Sequence, residues 1–125
     1  MIHGINVNVY YLAYTHHNGN DDYIIELWEG FRTKGIPIKK GRNLAARICE
    51  TSNLKLLTYL MGIHFKFDRL HVYICALEGN KELLEVLLKY QNFKLDWNDL
   101  HNKLKKKNQN DIIRYLIEEK YLINI

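Results

Sequence analysis

The chain has 125 residues, of which 47% are hydrophobic and 26% charged, and its formal net charge is +4. This composition is typical of a folded soluble protein with room for one domain. No stretch approaches the roughly 20 apolar residues that span a bilayer, so we expect no membrane segment. Residues 1–8 lack the basic and apolar regions of a signal peptide. The mild basic excess is compatible with nucleic acid as a partner.

In chain order, the sequence alternates short helix candidates with longer, more strongly patterned ones. Each longer candidate opens with short polar residues and then has apolar residues at i, i+1 and i+4, the pattern of a helix buried on one face. Only a few residues separate the two helices of a pair, which predicts antiparallel helical hairpins. The shorter candidates cover residues 9–16, 44–50, 70–77 and 99–106.

The longer helix candidates repeat in register along the chain. The apolar pair Leu56-Leu57 recurs 27 residues later at position 83 and a further 29 residues later at position 112. A weaker copy begins at Ile24, 32 residues before Leu56. One hairpin cannot bury its apolar face alone, so the copies must stack. We therefore predict a single all-α domain over residues 1–125, with repeats at about 7–38, 43–65, 70–95 and 99–125.

The segments that link the hairpins also share a pattern. Residues 35–38, 62–65 and 92–95 each read turn residue, apolar, variable, apolar, and residues 121–125 end the chain with a similar alternation. This period of two predicts extended arms with one face against the stack. The first linking segment carries an insertion, from Gly30 to Asn43. An unrelated bundle of seven or eight short helices is the alternative fold.

Residues 75–88, CALEGNKELLEVLL, resemble the ankyrin consensus small-Ala-x-x-Gly-(His/Asn)-x-Glu-(Ile/Leu)-(Val/Leu)-x-x-Leu-Leu. Gly79 permits the tight turn between helices, and the small residues Cys75 and Ala76 let neighbouring helices approach. The usual ankyrin period is about 33 residues. The resemblance covers residues 7–125 and is strongest in 44–90. The Thr-Pro-Leu-His opening and the Gly-Ala-Asp loop of the family are absent. The resemblance implies an ankyrin-like solenoid of about four stacked helix-turn-helix repeats.

Degenerate ankyrin repeats rich in Ile, Leu, Tyr, Asn and Lys are similar to those of multigene families in large DNA viruses, the asfarviruses and poxviruses. Members of those families act on host range and blunt innate immune signalling. By fold-level analogy, the resemblance implies a non-enzymatic module that binds a host signalling protein in the cytoplasm or the nucleus.

Partners of ankyrin proteins dock on the arm tips and on the exposed side of the first helices. The positions that match the arms are Lys39, Lys40, Arg42, His64, Lys66, Asp68, Arg69, Lys94, Asp96 and Trp97. Trp97 is the strongest candidate, because an exposed tryptophan is a frequent hot spot. Its alternative role is to staple the start of the last repeat's first helix.

The sequence predicts no catalytic residue, no metal site and no cofactor. The glycines are isolated, and no nucleophile lies beside a base in a recognisable motif. His16 and His17 are adjacent, and helical neighbours point about 100° apart, so one ion cannot easily take both. Cys49 and Cys75 lack metal-ligand spacing and are interpreted as reduced, buried residues of a cytosolic or nuclear protein.

Two basic clusters leave other functions open. They contain Lys34, Lys39, Lys40 and Arg42 in the insertion, and Lys103, Lys105, Lys106 and Lys107 in the last repeat. Either cluster is a solvated surface or a phosphate-binding patch of a small basic nucleic-acid-binding protein, whose affinity would fall steeply with salt. The third alternative is a structural protein that self-associates through its last arm, residues 122–125, because an uncapped stack end invites pairing.

Overall fold

A computed structural model describes residues 8–38 and 41–122. These residues form eight α-helices and no strand, which confirms the all-α prediction for this part of the chain. The chain divides into two compact units, of which the first ends at Ala45 and the second begins at Ala46. A single domain over residues 1–125 stays a prediction. The helices are α1 Val9–His16, α2 Asp21–Thr33, α3 Gly41–Glu50, α4 Leu54–Gly62, α5 Arg69–Leu77, α6 Lys81–Tyr90, α7 Trp97–Lys106 and α8 Asn110–Glu118.

We call the helix that opens each hairpin its first helix and the one that follows its second helix. Three of the first helices begin earlier than the apolar pattern predicts. We expected them to start at positions 44, 70 and 99, whereas they start at Gly41, Arg69 and Trp97. The predicted insertion from Gly30 to Asn43 is correspondingly shorter, because α2 continues to Thr33 and α3 begins before Asn43. The first turn of a helix can be polar when a cap satisfies its free N–H groups, so apolar periodicity alone misses it.

Short polar side chains start most of the helices. The cap of α2, Asn20, accepts a hydrogen bond from the N–H of Tyr23 at 3.3 Å. Such a bond satisfies one of the backbone donors that lack a partner within the helix. The same kind of side-chain cap is present at Asn8, Asn53, Asp68 and Asp96.

The turns inside the hairpins of the second unit share one backbone conformation. Ser52, Gly79 and Asn108 have φ values of 59°, 75° and 57°, in the left-handed region. The residue after each turn donates its N–H to the carbonyl five residues earlier, which is the Schellman arrangement at a helix end. These bonds run from Asn53 to Ile48 at 3.2 Å, from Asn80 to Cys75 at 2.8 Å and from Gln109 to Leu104 at 3.0 Å.

The same arrangement ends three of the second helices. Gly35, His64 and Lys120 have φ values of 78°, 64° and 66°, and an apolar residue follows each of them. The N–H of Phe65, for example, donates to the carbonyl of Leu60 at 3.0 Å. Around this helix end, exposed and less exposed side chains alternate along residues 63–67, as in an extended segment.

The first unit is organised around aromatic side chains. α1 packs against α2, and Trp28 of α2 is fully buried between them. The indole Nε1–H of Trp28 donates to the carbonyl of Tyr10 at 2.9 Å, which satisfies the one polar group that this side chain brings into the core. The hydroxyl of Tyr10 in turn donates to the carbonyl of Ile36, which fastens the segment after α2.

The second unit packs helices of the same kind against each other. The hairpins α5–α6 and α7–α8 pack internally, the first helices α5 and α7 are in contact, and so are the second helices α4 and α6. Leucines fill this core, as the repeated pairs predict: Leu56, Leu57, Leu83 and Leu84 are at most 1% exposed. In the last copy, Ile112 is buried and Ile113 is only half-buried.

Two amide side chains connect successive first helices. The Nδ2 amide of Asn80 donates to the carbonyl of Cys49 at the end of α3, and the Nε2 amide of Gln109 donates to the carbonyl of Leu77 at 2.8 Å. Neither residue makes a side-chain cap bond with its own helix. Because the last carbonyls of a helix have no partner within it, these amides satisfy groups that would otherwise need water.

We predict that Asn80→Asp destabilises the protein although aspartate caps helices as well as asparagine does. A carboxylate only accepts hydrogen bonds, so the bond to the Cys49 carbonyl is lost and the free energy of unfolding falls by about 1 to 3 kcal/mol. Urea unfolding measures this change. Asn20→Asp is the matched control, because Asn20 acts only as an acceptor in its cap bond to Tyr23. Equal effects of the two substitutions would contradict the role assigned to Asn80.

Candidate protein-binding surface

Helix α5 is apolar on more than the face that it buries. Its buried face consists of His71, Val72, Cys75 and Ala76. The remaining apolar side chains follow the spacing i, i+3, i+4, i+7 and are half-buried; they form the α5 outer stripe, which we define as Leu70, Tyr73, Ile74 and Leu77. A helix that is apolar all round is usually covered on all sides. The partial exposure of this second stripe therefore marks it as a candidate contact surface.

Ion pairs surround the α5 outer stripe. Lys103 pairs with Asp99 at 2.9 Å on α7, and Arg47 pairs with Glu50 at 3.3 Å on α3. The hydroxyl of Tyr73 donates to the Oδ2 of Asp99 at 2.9 Å, so the stripe is joined to α7 by a hydrogen bond. All four charged side chains are exposed by 43% or more, so each pair contributes little to stability.

A cavity of about 230 Å³ opens at the end of the stripe. Ile74 and Leu77 supply its apolar walls, and Glu78 and Lys107 line it as a third ion pair with an N–O distance of 3.4 Å. Glu50, from the last turn of α3, completes the lining. The ends of three first helices thus contribute to one concave site.

The predicted arm residues fall into different environments. Lys39 and Lys40 lie outside the described residues. Arg42 is exposed on α3, in the first unit, and is therefore a helix residue rather than an arm residue. Three more of the predicted residues are exposed in or beside the linking segments of the second unit: His64, Lys66 and Lys94.

Four other predicted site residues lie at helix starts. Asp68 and Asp96 are caps, and their carboxylates accept from the backbone N–H groups of Leu70 at 2.8 Å and Asp99 at 3.0 Å. Arg69 is the exposed first residue of α5. Trp97 is the first residue of α7 and not a loop residue; its ring stacks on that of Tyr121 with the centroids 5.3 Å apart.

The sequence analysis missed two residues that hold the arm between α4 and α5. His71 is 1% exposed, and its Nδ1 accepts from the N–H of Asp68 at 2.9 Å, which completes a capping box. The side-chain amide of Gln91 bonds both backbone groups of Phe67, at 3.1 and 2.6 Å. The Asp-x-x-His spacing was a usable signal for His71. Nothing local in the sequence indicates the role of Gln91.

The lysines of the last repeat are partly neutralised. Lys103 bonds Asp99 and Lys107 bonds Glu78, whereas Lys105 and Lys106 are simply exposed. Two of the four predicted phosphate-binding cations are therefore already engaged with carboxylates. In the other cluster, Lys34 is exposed just after α2.

The two cysteines are buried and free. A hydrogen bond with Cys75, together with burial, raises the pKa of the Cys49 thiol far above its usual range. Because the thiolate is the reactive form, Cys49 is a poor nucleophile. Within the described ranges, 8–38 and 41–122, no group of three or more His, Cys, Asp or Glu side chains converges as a metal site would require.

Comparison with known proteins adds no relative. No protein-family model, no curated protein and no solved structure matches the chain. In the part of the chain that the structure describes, each helix is too short or too polar to cross a membrane.

We predict that Tyr73 makes the stability of the protein fall in alkaline solution. Burial, then the hydrogen bond with Asp99, raises the pKa of Tyr73 to about 12. The unfolded chain releases this proton nearer the ordinary value of about 10, so the contribution is fully present below that pH and is lost between about pH 10 and 12. Urea unfolding at several alkaline pH values should show a shallower decline for Tyr73→Phe. Identical pH profiles for the two proteins would contradict this assignment.

Proposed function

We propose that the chain is a non-enzymatic protein-interaction module built from ankyrin-type repeats. Three features of the second unit support a repeat stack. The first helices α5 and α7 are in contact, and so are the second helices α4 and α6. The left-handed turn residue recurs at Ser52, Gly79 and Asn108. The amides of Asn80 and Gln109 link neighbouring hairpins in the same way. Each of these features is what stacked copies of one hairpin require.

The observation that carries the functional proposal is the α5 outer stripe. A partly exposed apolar stripe with charged side chains around it resembles a protein-protein interface, in which an apolar centre lies within a polar rim. The three ion pairs at this rim are formed within the chain, so the stripe needs no strongly charged partner. We therefore expect binding to be dominated by apolar burial and to depend only weakly on salt.

The nature of the partner is a separate proposal. The sequence resemblance to viral ankyrin families supports a host signalling protein as partner and a viral origin for the chain. The buried thiols and the engaged carboxylates support a binding role rather than catalysis. Self-association through the last arm is tested below by the mass of the purified chain, because residues 123–125 lie outside the described residues.

We predict that Ile74→Gln removes partner binding while the protein stays folded. Ile74 is half-buried at the centre of the stripe, so a polar side chain there disrupts an apolar contact more than it disrupts the core. The full chain is used to capture proteins from lysate with and without nuclease, and the captured protein is then purified and its affinity measured at low and high salt. We expect at least a tenfold loss of affinity for Ile74→Gln.

Ile113→Gln is the matched control, because Ile113 is also a half-buried isoleucine but lies on α8. Equal losses of partner affinity for both variants would contradict the assignment of the α5 outer stripe as the binding surface. Capture that disappears with nuclease, or affinity that falls steeply with salt, would favour a nucleic-acid-binding protein. A concentration-dependent mass of the purified chain would favour self-association.

We further predict that Trp97→Ala abolishes partner binding without unfolding the chain. Trp97 is half-buried and stacks on Tyr121, so its removal should cost less than the roughly 3 to 5 kcal/mol of a core tryptophan. Circular dichroism during urea unfolding tests the fold, and the purified partner tests binding. An unfolded Trp97→Ala variant would show that Trp97 staples α7 and has no separate role at an interface.

A further inference from the structure

We propose that the turn between α1 and α2 is a site of spontaneous covalent modification, in which the backbone nitrogen of Gly19 displaces ammonia from the side chain of Asn18. The reaction is deamidation through a cyclic succinimide, and its products are aspartate and isoaspartate. The turn belongs to the first unit, whereas the proposed binding surface on α5 belongs to the second. The modification site therefore stands or falls independently of the proposed function.

The sequence singles out one asparagine for this reaction. Asn18 is the only asparagine in the chain that is followed by glycine. The succinimide ring closes when the backbone nitrogen of the next residue reaches the Cγ atom of the asparagine. A side chain on that next residue obstructs the approach and restricts the backbone, whereas glycine has no side chain and rotates freely.

The turn leaves both reacting groups open to water. Asn18 and Gly19 are exposed and lie outside the helices. A Cβ atom at Gly19 would meet no other atom within 4 Å. Within the described part of the chain, neither the side-chain amide of Asn18 nor the N–H of Gly19 makes a hydrogen bond. No neighbouring group therefore holds the amide and the nitrogen apart.

One hydrogen bond closes the turn. The N–H of Asn20 donates to the carbonyl of His17 at 2.9 Å, so Asn18 and Gly19 are the two central residues of the turn. The φ of Gly19 is 95°, a conformation that suits glycine. Exposed loops with few bonds open at a much lower free energy than packed helices do. The backbone can thus reach the geometry of the ring without the unfolding of α1 or α2.

The reaction consumes water and needs no enzyme or cofactor. The Gly19 nitrogen loses its proton and forms a bond to the Cγ of Asn18, while the bond from Cγ to the amide nitrogen breaks and ammonia leaves with a proton. Water then opens the succinimide ring. Attack at Cγ gives aspartate, and attack at the backbone carbonyl carbon gives isoaspartate, in which the main chain runs through the former side chain.

Both products change the turn in ways that can be measured. Each of them adds a carboxylate, which lowers the formal net charge of +4 by one. The new charge lies just before α2, whose first turn already carries Asp21 and Asp22. Isoaspartate also adds one carbon atom to the main chain, inside the turn that the bond between Asn20 and His17 closes.

The test is to incubate the purified full chain at neutral and at mildly alkaline pH and to analyse its peptides by mass spectrometry. A methyltransferase specific for isoaspartate labels that product. Asn92 is the internal control, because it is also exposed outside the helices but precedes Phe93. We expect deamidation at Asn18 to be at least tenfold faster than at Asn92, a difference of about 1.4 kcal/mol in activation free energy. The rate should rise with hydroxide concentration, because the nucleophile is the deprotonated nitrogen.

Two substitutions separate this site from other sources of the product. Asn18→Gln should remove the isoaspartate label, because glutamine has to close a larger ring and does so more slowly. The exposed side chain of Asn18 makes no hydrogen bond within the described residues, so this variant should fold like the parent chain. Asn92→Gln is the matched control and should leave the amount of label unchanged.

A parallel incubation in urea gives the rate in the unfolded chain. Deamidation of Asn18 that occurs only in urea would overturn the proposal, because the folded turn would then protect the amide. Equal rates at Asn18 and Asn92, or an isoaspartate label that persists in Asn18→Gln, would also overturn it. Deamidation of the folded chain at Asn18, with the label lost only in Asn18→Gln, would establish the site.

Discussion

The second unit depends on how the carboxyl ends of successive first helices are held together. The backbone N–H of Asn80 donates to the carbonyl of Cys75 on α5, while its side-chain amide donates to the carbonyl of Cys49 on α3. One residue therefore satisfies the ends of two helices. Gln109 repeats the arrangement one hairpin later, with Leu104 and Leu77 as its acceptors. These side-chain bonds join the turn after α5 to the end of α3, and the turn after α7 to the end of α5.

The same constraint explains where the cavity forms. Because these hydrogen bonds lie at the carboxyl ends of the helices, they bring together the last turn of α3 and the residues that follow α5 and α7. Glu50, Glu78 and Lys107 occupy these positions and line the cavity. Gly79 is part of the constraint: a Cβ atom there would lie 3.1 Å from the Oε1 of Gln109, and its φ of 75° is strained for other residues.

The contrast between α5 and α7 explains why the candidate surface lies on α5. Twenty-nine residues after Tyr73, Ile74 and Leu77 come Asn102, Lys103 and Lys106, in the register of the apolar repeats. The corresponding face of α7 is therefore polar and exposed. A polar and exposed face suits contact with water, whereas the half-buried apolar side chains on α5 suit a contact with another molecule.

Much of the fold could be predicted from local pattern. The apolar pairs at positions 56, 83 and 112 predicted the second helices. Of the polar residues before them, Asn53 caps its helix with its side chain, whereas Asn80 and Gln109 make no side-chain cap bond. The site was less predictable. The arm positions suggested by resemblance include Asp68 and Asp96, which cap helices, and Trp97, which starts one. Exposed and structural polar residues look alike in a sequence, because the hydrogen bond that separates them is visible only once both partners are placed.

The sequence by itself determined where most of the helices lie and the tight turn at Gly79, since these follow from apolar periodicity, polar residues at helix starts and turn residues within a few positions. Only the tertiary structure decided which apolar stripe of α5 is buried, because both stripes have helical spacing and the neighbouring hairpins choose between them. It also decided that Asn80 and Gln109 bond backward to another helix, that Gln91 holds Phe67, and that Glu50, Glu78 and Lys107 line one cavity. The residues brought together in this way lie about 24 to 57 positions apart, a separation at which local sequence pattern carries no information about distance.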